Sequence, residues 1–180
     1  MYAGNPIKVT SKYIPSTTDD PTWDTTKPSP TCTVDATTGI TIDLAISATF
    51  VSSCTTATPP AGLGAITGPI QGYGFVVPNP GSSQLGIAAE EGYFAFGFAA
   101  LGKATPWLDE AFMFIRPTTK STLLSLAAAI RLPASKWKGK QLAASSDVVT
   151  SVKGSTDPEK TIGILGLEIH DQNRDTLKLL

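Results

Sequence analysis

A chain of 180 residues, 41% of them hydrophobic and 16% charged, can bury one ordinary core or one complete lobe with pieces of a second, which excludes two large independent domains. Its formal net charge of -1 creates no field favouring nucleic acid or an anionic membrane surface, so an anion would have to be held by a local site. No apolar run approaches the roughly 20 residues that span a bilayer, and the interrupted stretch from Leu85 to Leu101 carries Glu90 and Glu91.

The opening residues, Met1-Tyr2-Ala3-Gly4-Asn5-Pro6, have neither the basic nor the apolar region of a signal peptide. The expectation is a mature protein or a chain whose true beginning lies upstream. Up to about residue 38 the chain is rich in Thr, Pro, Asp and Lys, with breakers at Pro6, Pro15, Pro21, Pro28 and Pro30, which predicts irregular structure or short edge strands. Ile40 to Ile46 alternates and then becomes continuously apolar, as a strand entering a core does, and the strand reading extends between Thr41 and Phe50. Cys32 and Cys54 flank it. Two cysteines exclude a multi-cysteine zinc site and allow one intramolecular disulfide, which would remove about 3 kcal/mol of unfolded-chain entropy and argue for an oxidising compartment. Two unpaired thiols are the alternative.

Ser52 to Leu63 reads as a loop around Pro59-Pro60. From Leu44 to Ala89 there is no charged residue, a pattern expected where a strand is covered on both faces, where two lobes meet, or on a low-charge secreted surface. Within it, Ile70 to Pro78 reads as a strand. Ile87 to Leu101 has helical spacing with a wide apolar surface, and Gly102 offers a stop. Phe112-Met113-Phe114-Ile115 is a short buried strand ending at Arg116. Thr118 and Thr119 offer N-caps to a helical run from Leu123 to Ile130, closed by Pro133. Ser145, Ser146 and Asp147 can cap a short helix through Val152, ended by Gly154, and Thr161 to Leu167 is a last strand. From Ile66 the order is strand, helix, strand, helix, helix, strand, an α/β pattern.

The strand, turn and helix from Phe112 to Ile130 hold the most informative chemistry. A strand ending in arginine, followed by hydroxyl residues opening a helix, is a local anion trap, because free N–H groups and the helix dipole favour negative charge. Arg116 can add forked charge-assisted hydrogen bonds, with donors from Thr119, Lys120, Ser121 and Thr122. The competing reading is a threonine that merely caps the helix and an arginine on the surface. Other constellations are weaker. His170 is the only histidine and reads as a solvated loop residue. Glu90 and Glu91 point about 100° apart on one helix, which suits paired-carboxylate catalysis poorly. Gly72-Tyr-Gly74 lacks the third glycine of a dinucleotide fingerprint. Trp23, Trp107 and Trp137 read as packing residues, and Lys136, Lys138 and Lys140 as a solvated turn.

Three motifs carry a family resemblance. Leu85-Gly-Ile-Ala-Ala-Glu-Glu-Gly-Tyr-Phe-Ala-Phe-Gly97, followed by Gly102-Lys-Ala-Thr-Pro-Trp-Leu-Asp109, resembles the helix and Gly-Lys-x-x-x-Trp-x-Asp turn of the phosphate-binding component of bacterial ABC importers. Phe114-Ile-Arg116-Pro-Thr-Thr-Lys-Ser-Thr122 resembles that family's strand and Arg-x-x-x-Ser-Gly-Thr, and Lys160-Thr-Ile-Gly-Ile-Leu-Gly166 its later strand. The likeness is clear from about Ala65 to His170 and faint between Thr31 and Cys54.

The resemblance implies an α/β fold of the type II periplasmic-binding-protein kind, in which two lobes close on an oxyanion at helix N-termini. Residues 1–64 would be a Thr/Pro-rich partial first lobe holding a Cys32–Cys54 disulfide, 65–170 a nearly complete α/β lobe, and 171–180 a C-terminal return segment. Arg116 matches the family's arginine and Thr122 its threonine. Lys120 and Ser121 stand in place of Ser-Gly, with Thr119 supplying a hydroxyl beside the exchange. Ala45-Ile-Ser-Ala48 resembles the first lobe's Ser-Asp segment, giving Ser47 as a ligand and Ala48 in place of the aspartate. The family's opening strand and its Gly-Ser/Thr loop have no counterpart before Met1, which reads as a fragment or a degenerate member. The implied role is periplasmic or extracellular capture of a small oxyanion, with a membrane transporter or further copies of the chain as partners. No catalysis, cofactor, metal or nucleic acid is expected. The alternative is an extracellular structural or assembly protein that kept the fold and lost the ligand. A hydrolase would need a base near a nucleophile, and none is evident.

Overall fold

The computed structural model describes residues 7–12, 18, 20–24, 26–36, 62, 64 and 66–180. It separates into two compact units, Met1–Ile46 with Pro60–Gly64 and Ser47–Pro59 with Ala65–Leu180. The strand expected between Thr41 and Phe50, Ser47, and the Cys32–Cys54 bridge fall outside the described residues.

In the first unit, β1 (Ile7–Lys12) and β2 (Thr31–Ala36) pair antiparallel, with Ile7 opposite Ala36 and Lys12 opposite Thr31. These are short strands, one of the two outcomes expected of the proline-punctuated N-terminal third. Two aspartates shape turns between them. Asp20 accepts hydrogen bonds from the Thr22 N–H and hydroxyl at 3.0 and 2.8 Å, and Asp24 accepts from the Thr26 N–H at 2.8 Å, local bonds that favour turns over ladders.

The second unit is a mixed α/β structure. Its described strands are β3 (Tyr73–Pro78), β4 (Met113–Ile115), β5 (Lys140–Gln141), β6 (Ile162–Gly166) and β7 (Leu177–Leu179), and its α-helices are α1 (Ala89–Phe98), α2 (Ser121–Ala129), α3 (Ser145–Lys153) and α4 (Leu167–Asp171). The sheet order is β5-β4-β6-β3-β7. β4 runs parallel to β5 and β6, while β3 runs antiparallel to β6 and β7.

Strand alternation divides the core into two layers. Phe75, Val77, Met113, Ile115, Ile162 and Ile164 face α1 and α2, which contribute Ala95, Phe96, Leu123, Leu126 and Ala127. Val76, Phe114 and Leu165 face α3, which contributes Val148, Val149 and Val152. Each Val, Leu, Ile, Phe or Met among them, where fully buried, stabilises the fold by about 1.5–3 kcal/mol. The first layer is strengthened by aromatic packing: Phe96 lies 5.3 Å from Phe75 and 4.6 Å from Trp137 between ring centroids, and the Trp137 indole N–H donates to the Leu132 carbonyl at 3.1 Å. In the second layer α3 approaches so closely over β6 that a Cβ on Gly163 would meet Val152 Cγ2 at 2.7 Å and Val148 Cγ1 at 3.0 Å. Glycine is required there by the helix lying on the strand.

Several boundaries differ from expectation for local reasons. The N-cap of α2 is Lys120, so neither Thr118 nor Thr119 caps it. The helix ends at Ala129, before Pro133, because Arg131 turns left-handed at φ 58° and the N–H groups of Arg131 and Leu132 fold back to the carbonyls of Ala128 and Ala127. α3 starts after Ala144, whose N–H donates to Asp147 at 3.1 Å, so Ser145 and Ser146 lie inside the helix. α1 gives way at Ala99 to a 3-10 turn through Gly102, where a Cβ would meet the Phe94 carbonyl oxygen at 2.2 Å. His170 lies in α4 and is half-buried, not in a solvated loop. Within the described part of the uncharged segment, the Phe75–Pro78 end of β3 is buried, whereas Ile66, Ile70 and Leu85 are exposed.

Candidate functional site

The direction of the connections singles out one end of the sheet. β4, β5 and β6 are parallel, so their carboxyl ends lie together. The chain leaves β4 toward α2 on one face and leaves β5 toward α3 on the other, as the two core layers show. In open α/β sheets the space between diverging connections of this kind is where ligands sit.

Arg116 stands at that point. It follows Ile115 at the end of β4 and continues the alternation onto the face of Phe114, the α3 side. The residue is only 7% exposed, and its Nε and Nη1 have no hydrogen-bond partner among the described residues. Burial holds the guanidinium below its ordinary pKa, and the charge of Asp147 in the first turn of α3 opposes that shift. Asp147 does not close the account, because its carboxylate accepts the Ala144 N–H. A buried charge without a bonded counter-charge costs several kcal/mol, which an incoming anion would offset.

On the other face lies the first turn of α2. Its N-cap, Lys120, makes no side-chain cap and by chemistry cannot accept a hydrogen bond, so the N–H groups of Ser121, Thr122 and Leu123 lack the acceptor that Ser, Thr, Asp or Asn would supply. The first intrahelical bond is the Leu124 N–H to the Lys120 carbonyl at 3.1 Å. This end of the helix therefore presents donors, a partial positive charge and a lysine.

The sequence-predicted residues divide accordingly. Thr119 and Lys120 are exposed in the turn, Ser121 is half-buried, and Thr122 is buried at 8% exposure. Arg116 reaches the same strand end from the opposite face, and no hydrogen bond links it to these four residues. Ser47 lies outside the described residues. Asp147, the charge that acts on Arg116, was read from the sequence only as a helix cap. Its relation to Arg116 comes from β5 being parallel to β4, and β5 has just two residues, too short for an alternation pattern to reveal.

Nothing else described gathers comparable chemistry. No three His, Cys, Asp or Glu side chains come together as metal ligands among the described residues, and no described helix is long and apolar enough to cross a membrane. Trp107 is fully buried, and its indole N–H lacks a partner among the described residues. Two open depressions, of about 770 and 580 Å³, flank α1 away from Arg116.

No family model matches the chain, and no curated protein matches it. Among solved structures it is similar to the crystal structure of a possible phosphate binding protein from Planctomyces limnophilus DSM 3776, with a TM-score of 0.49 and 16% identity. The match covers 61% of this chain and 40% of that one, so the chain spans less than half of that protein's length.

Proposed function

We propose that this protein is an extracytoplasmic binding module, of the type II periplasmic-binding-protein kind, that captures a small tetrahedral oxyanion such as phosphate or sulfate at the carboxyl end of β4. The observation that carries this reading is the Arg116 guanidinium at the end of β4, held at 7% exposure with two nitrogens that have no partner among the described residues, on the connection that leads to a helix whose N-cap cannot accept. In this reading Arg116 supplies the countercharge from the α3 face. The N–H groups of Ser121, Thr122 and Leu123 and the Thr122 hydroxyl supply neutral donors from the α2 face. Thr119, Lys120 and Ser121 line the entrance, and Ser47 adds a hydroxyl from the N-terminal part of the chain. No bond is made or broken; the ligand is released intact, to a membrane transporter or to solvent. Asp147 limits affinity without blocking it, since its carboxylate is engaged with α3's own backbone.

Calorimetric titration with inorganic phosphate and with sulfate tests this. Saturable heat in the wild type that disappears in Arg116→Met is the expected result. Absence of heat with either anion, in a folded wild type, would remove the proposal. The second reading, an assembly protein that holds the fold without a ligand, is favoured by large exposed apolar side chains on the second unit, among them Phe94, Phe98 and Leu101.

A further inference from the structure

We infer that the anion captured at the end of β4 is singly charged, so that dihydrogen phosphate, or a sulfate derivative with one charge removed, is held in preference to a dianion. The inference rests on the anion site proposed above and narrows its ligand class. The supply of positive charge decides it. In the second unit Arg116 is the one buried cation among the described residues. Every other lysine or arginine there is exposed, apart from the half-buried Lys178, whose Nζ donates to the Ser82 carbonyl at 2.7 Å. The parts of this unit outside the described residues, 47–59 and residue 65, hold no lysine or arginine, since the run from Leu44 to Ala89 has no charged residue at all. Whatever that run brings to a ligand is neutral, the Ser47 hydroxyl included.

The surroundings of β4 add no second buried positive charge. The elements packed against it carry Glu110 in the turn before it, Lys140 on β5, and Asp147 and Lys153 on α3, while β6 carries none. Lys120 stands at the N-cap of α2, a helix without a charged residue of its own. All five are exposed to solvent, and of them only Asp147 acts on the Arg116 charge, with the sign that opposes an anion. Both unpartnered nitrogens, Nε and Nη1, belong to one guanidinium, so filling them gives a ligand two hydrogen bonds but a single countercharge. The α2 N-terminus adds roughly half a charge. A monoanion is balanced by that supply. A dianion leaves negative charge uncompensated in a buried place and within the field of a carboxylate, so the desolvation of its second charge is not offset.

The test is calorimetric titration of the full chain with sulfate and with sulfamate, which match in size and shape but differ by one charge, and with inorganic phosphate at a pH below and a pH above its second ionisation. Sulfamate should bind about tenfold or more tightly than sulfate. Phosphate affinity should fall as pH rises, because the dihydrogen form gives way to the dianion. Sulfamate keeps its charge throughout, so its level affinity separates that fall from titration of the protein's own groups, His170 among them. Asp147→Asn keeps an acceptor for the Ala144 N–H and removes a negative charge, and it should narrow the gap between sulfamate and sulfate. Sulfate that binds as tightly as sulfamate, and is lost in Arg116→Met, overturns this inference while leaving the anion site standing. Phosphate affinity that rises with pH, or a gap that Asp147→Asn does not narrow, overturns it likewise. A folded chain that binds none of the three anions removes the site as well.

Discussion

Asp147 in the first turn of α3 acts on the Arg116 charge without forming an ion pair with it: the carboxylate accepts the Ala144 N–H at 3.1 Å, and the guanidinium Nε and Nη1 remain unpartnered among the described residues. The attraction between them raises the arginine's pKa against the burial that lowers it. A position selected for stability alone would hold an apolar side chain. Replacing buried charge by an apolar group of similar volume is often neutral or stabilising by about 1–4 kcal/mol. Arg116→Met should therefore keep or raise the thermal midpoint while removing anion binding. Loss of fold in that variant, followed by circular dichroism, would mean that the guanidinium is structural.

Lys120 should show the same opposition in another form. Lys120→Asp supplies the acceptor that the α2 N-terminus lacks and complements the helix dipole, so it should stabilise the protein by about 1 kcal/mol. The same carboxylate competes with an anion for the Ser121, Thr122 and Leu123 amides. Binding should weaken as the melting temperature rises, a pairing that an ordinary surface lysine would not produce.

The close contact of α3 on β6 makes a packing prediction. Gly163→Ala should cost about 1–3 kcal/mol because its Cβ would overlap two valines. Val152→Ala opens space at one of them, so the double variant should be less destabilised than the two single effects added together. Strict additivity in denaturant titrations would contradict the contact.

Glu159, in the turn that leads into β6, ties that turn to the one after β3. Its carboxylate accepts the Ser83 N–H at 2.6 Å, and Lys178 on β7 donates to the Ser82 carbonyl at 2.7 Å. Its pKa is lowered, first by the Ser83 backbone bond, against the opposing effect of desolvation, with further lowering from the Ser83 hydroxyl, Gln84 and Lys178. A depressed folded-state pKa means that the stabilisation is present above the unfolded glutamate value and is lost as pH falls through the folded one. Wild type should lose stability relative to Glu159→Gln as pH drops below the ordinary glutamate range, and the two should run parallel above it.

The α/β architecture was legible where side-chain period and length agreed. Ile70 to Pro78, Phe112 to Ile115 and Thr161 to Leu167 read as strands because each holds a short, mostly apolar run, and the structure keeps Tyr73–Pro78, Met113–Ile115 and Ile162–Gly166 of them as strands. β5 and β7, of two and three residues, fall below the length at which alternation can be seen, and their place at the sheet edges rests on tertiary pairing. Helix starts were misread at Thr118–Thr119 and Ser145 because hydroxyl residues are good caps by local chemistry. Here Lys120 is the N-cap of α2 without a side-chain cap bond, and Asp147 supplies an acceptor from within α3. At the candidate site, Arg116 and the α2 first turn were readable as a local unit. That they approach from opposite faces of β4 was not, since it depends on which side the chain leaves each parallel strand.

The most direct test of the anion site is an amide and arginine side-chain NMR titration with inorganic phosphate, which reads the proposed donors one by one. The account predicts that the Arg116 Nε–H and the backbone amides of Ser121, Thr122 and Leu123 shift together along one saturable curve. Shifts confined to exposed lysines, or a titration in which Arg116 Nε–H stays fixed, would contradict it.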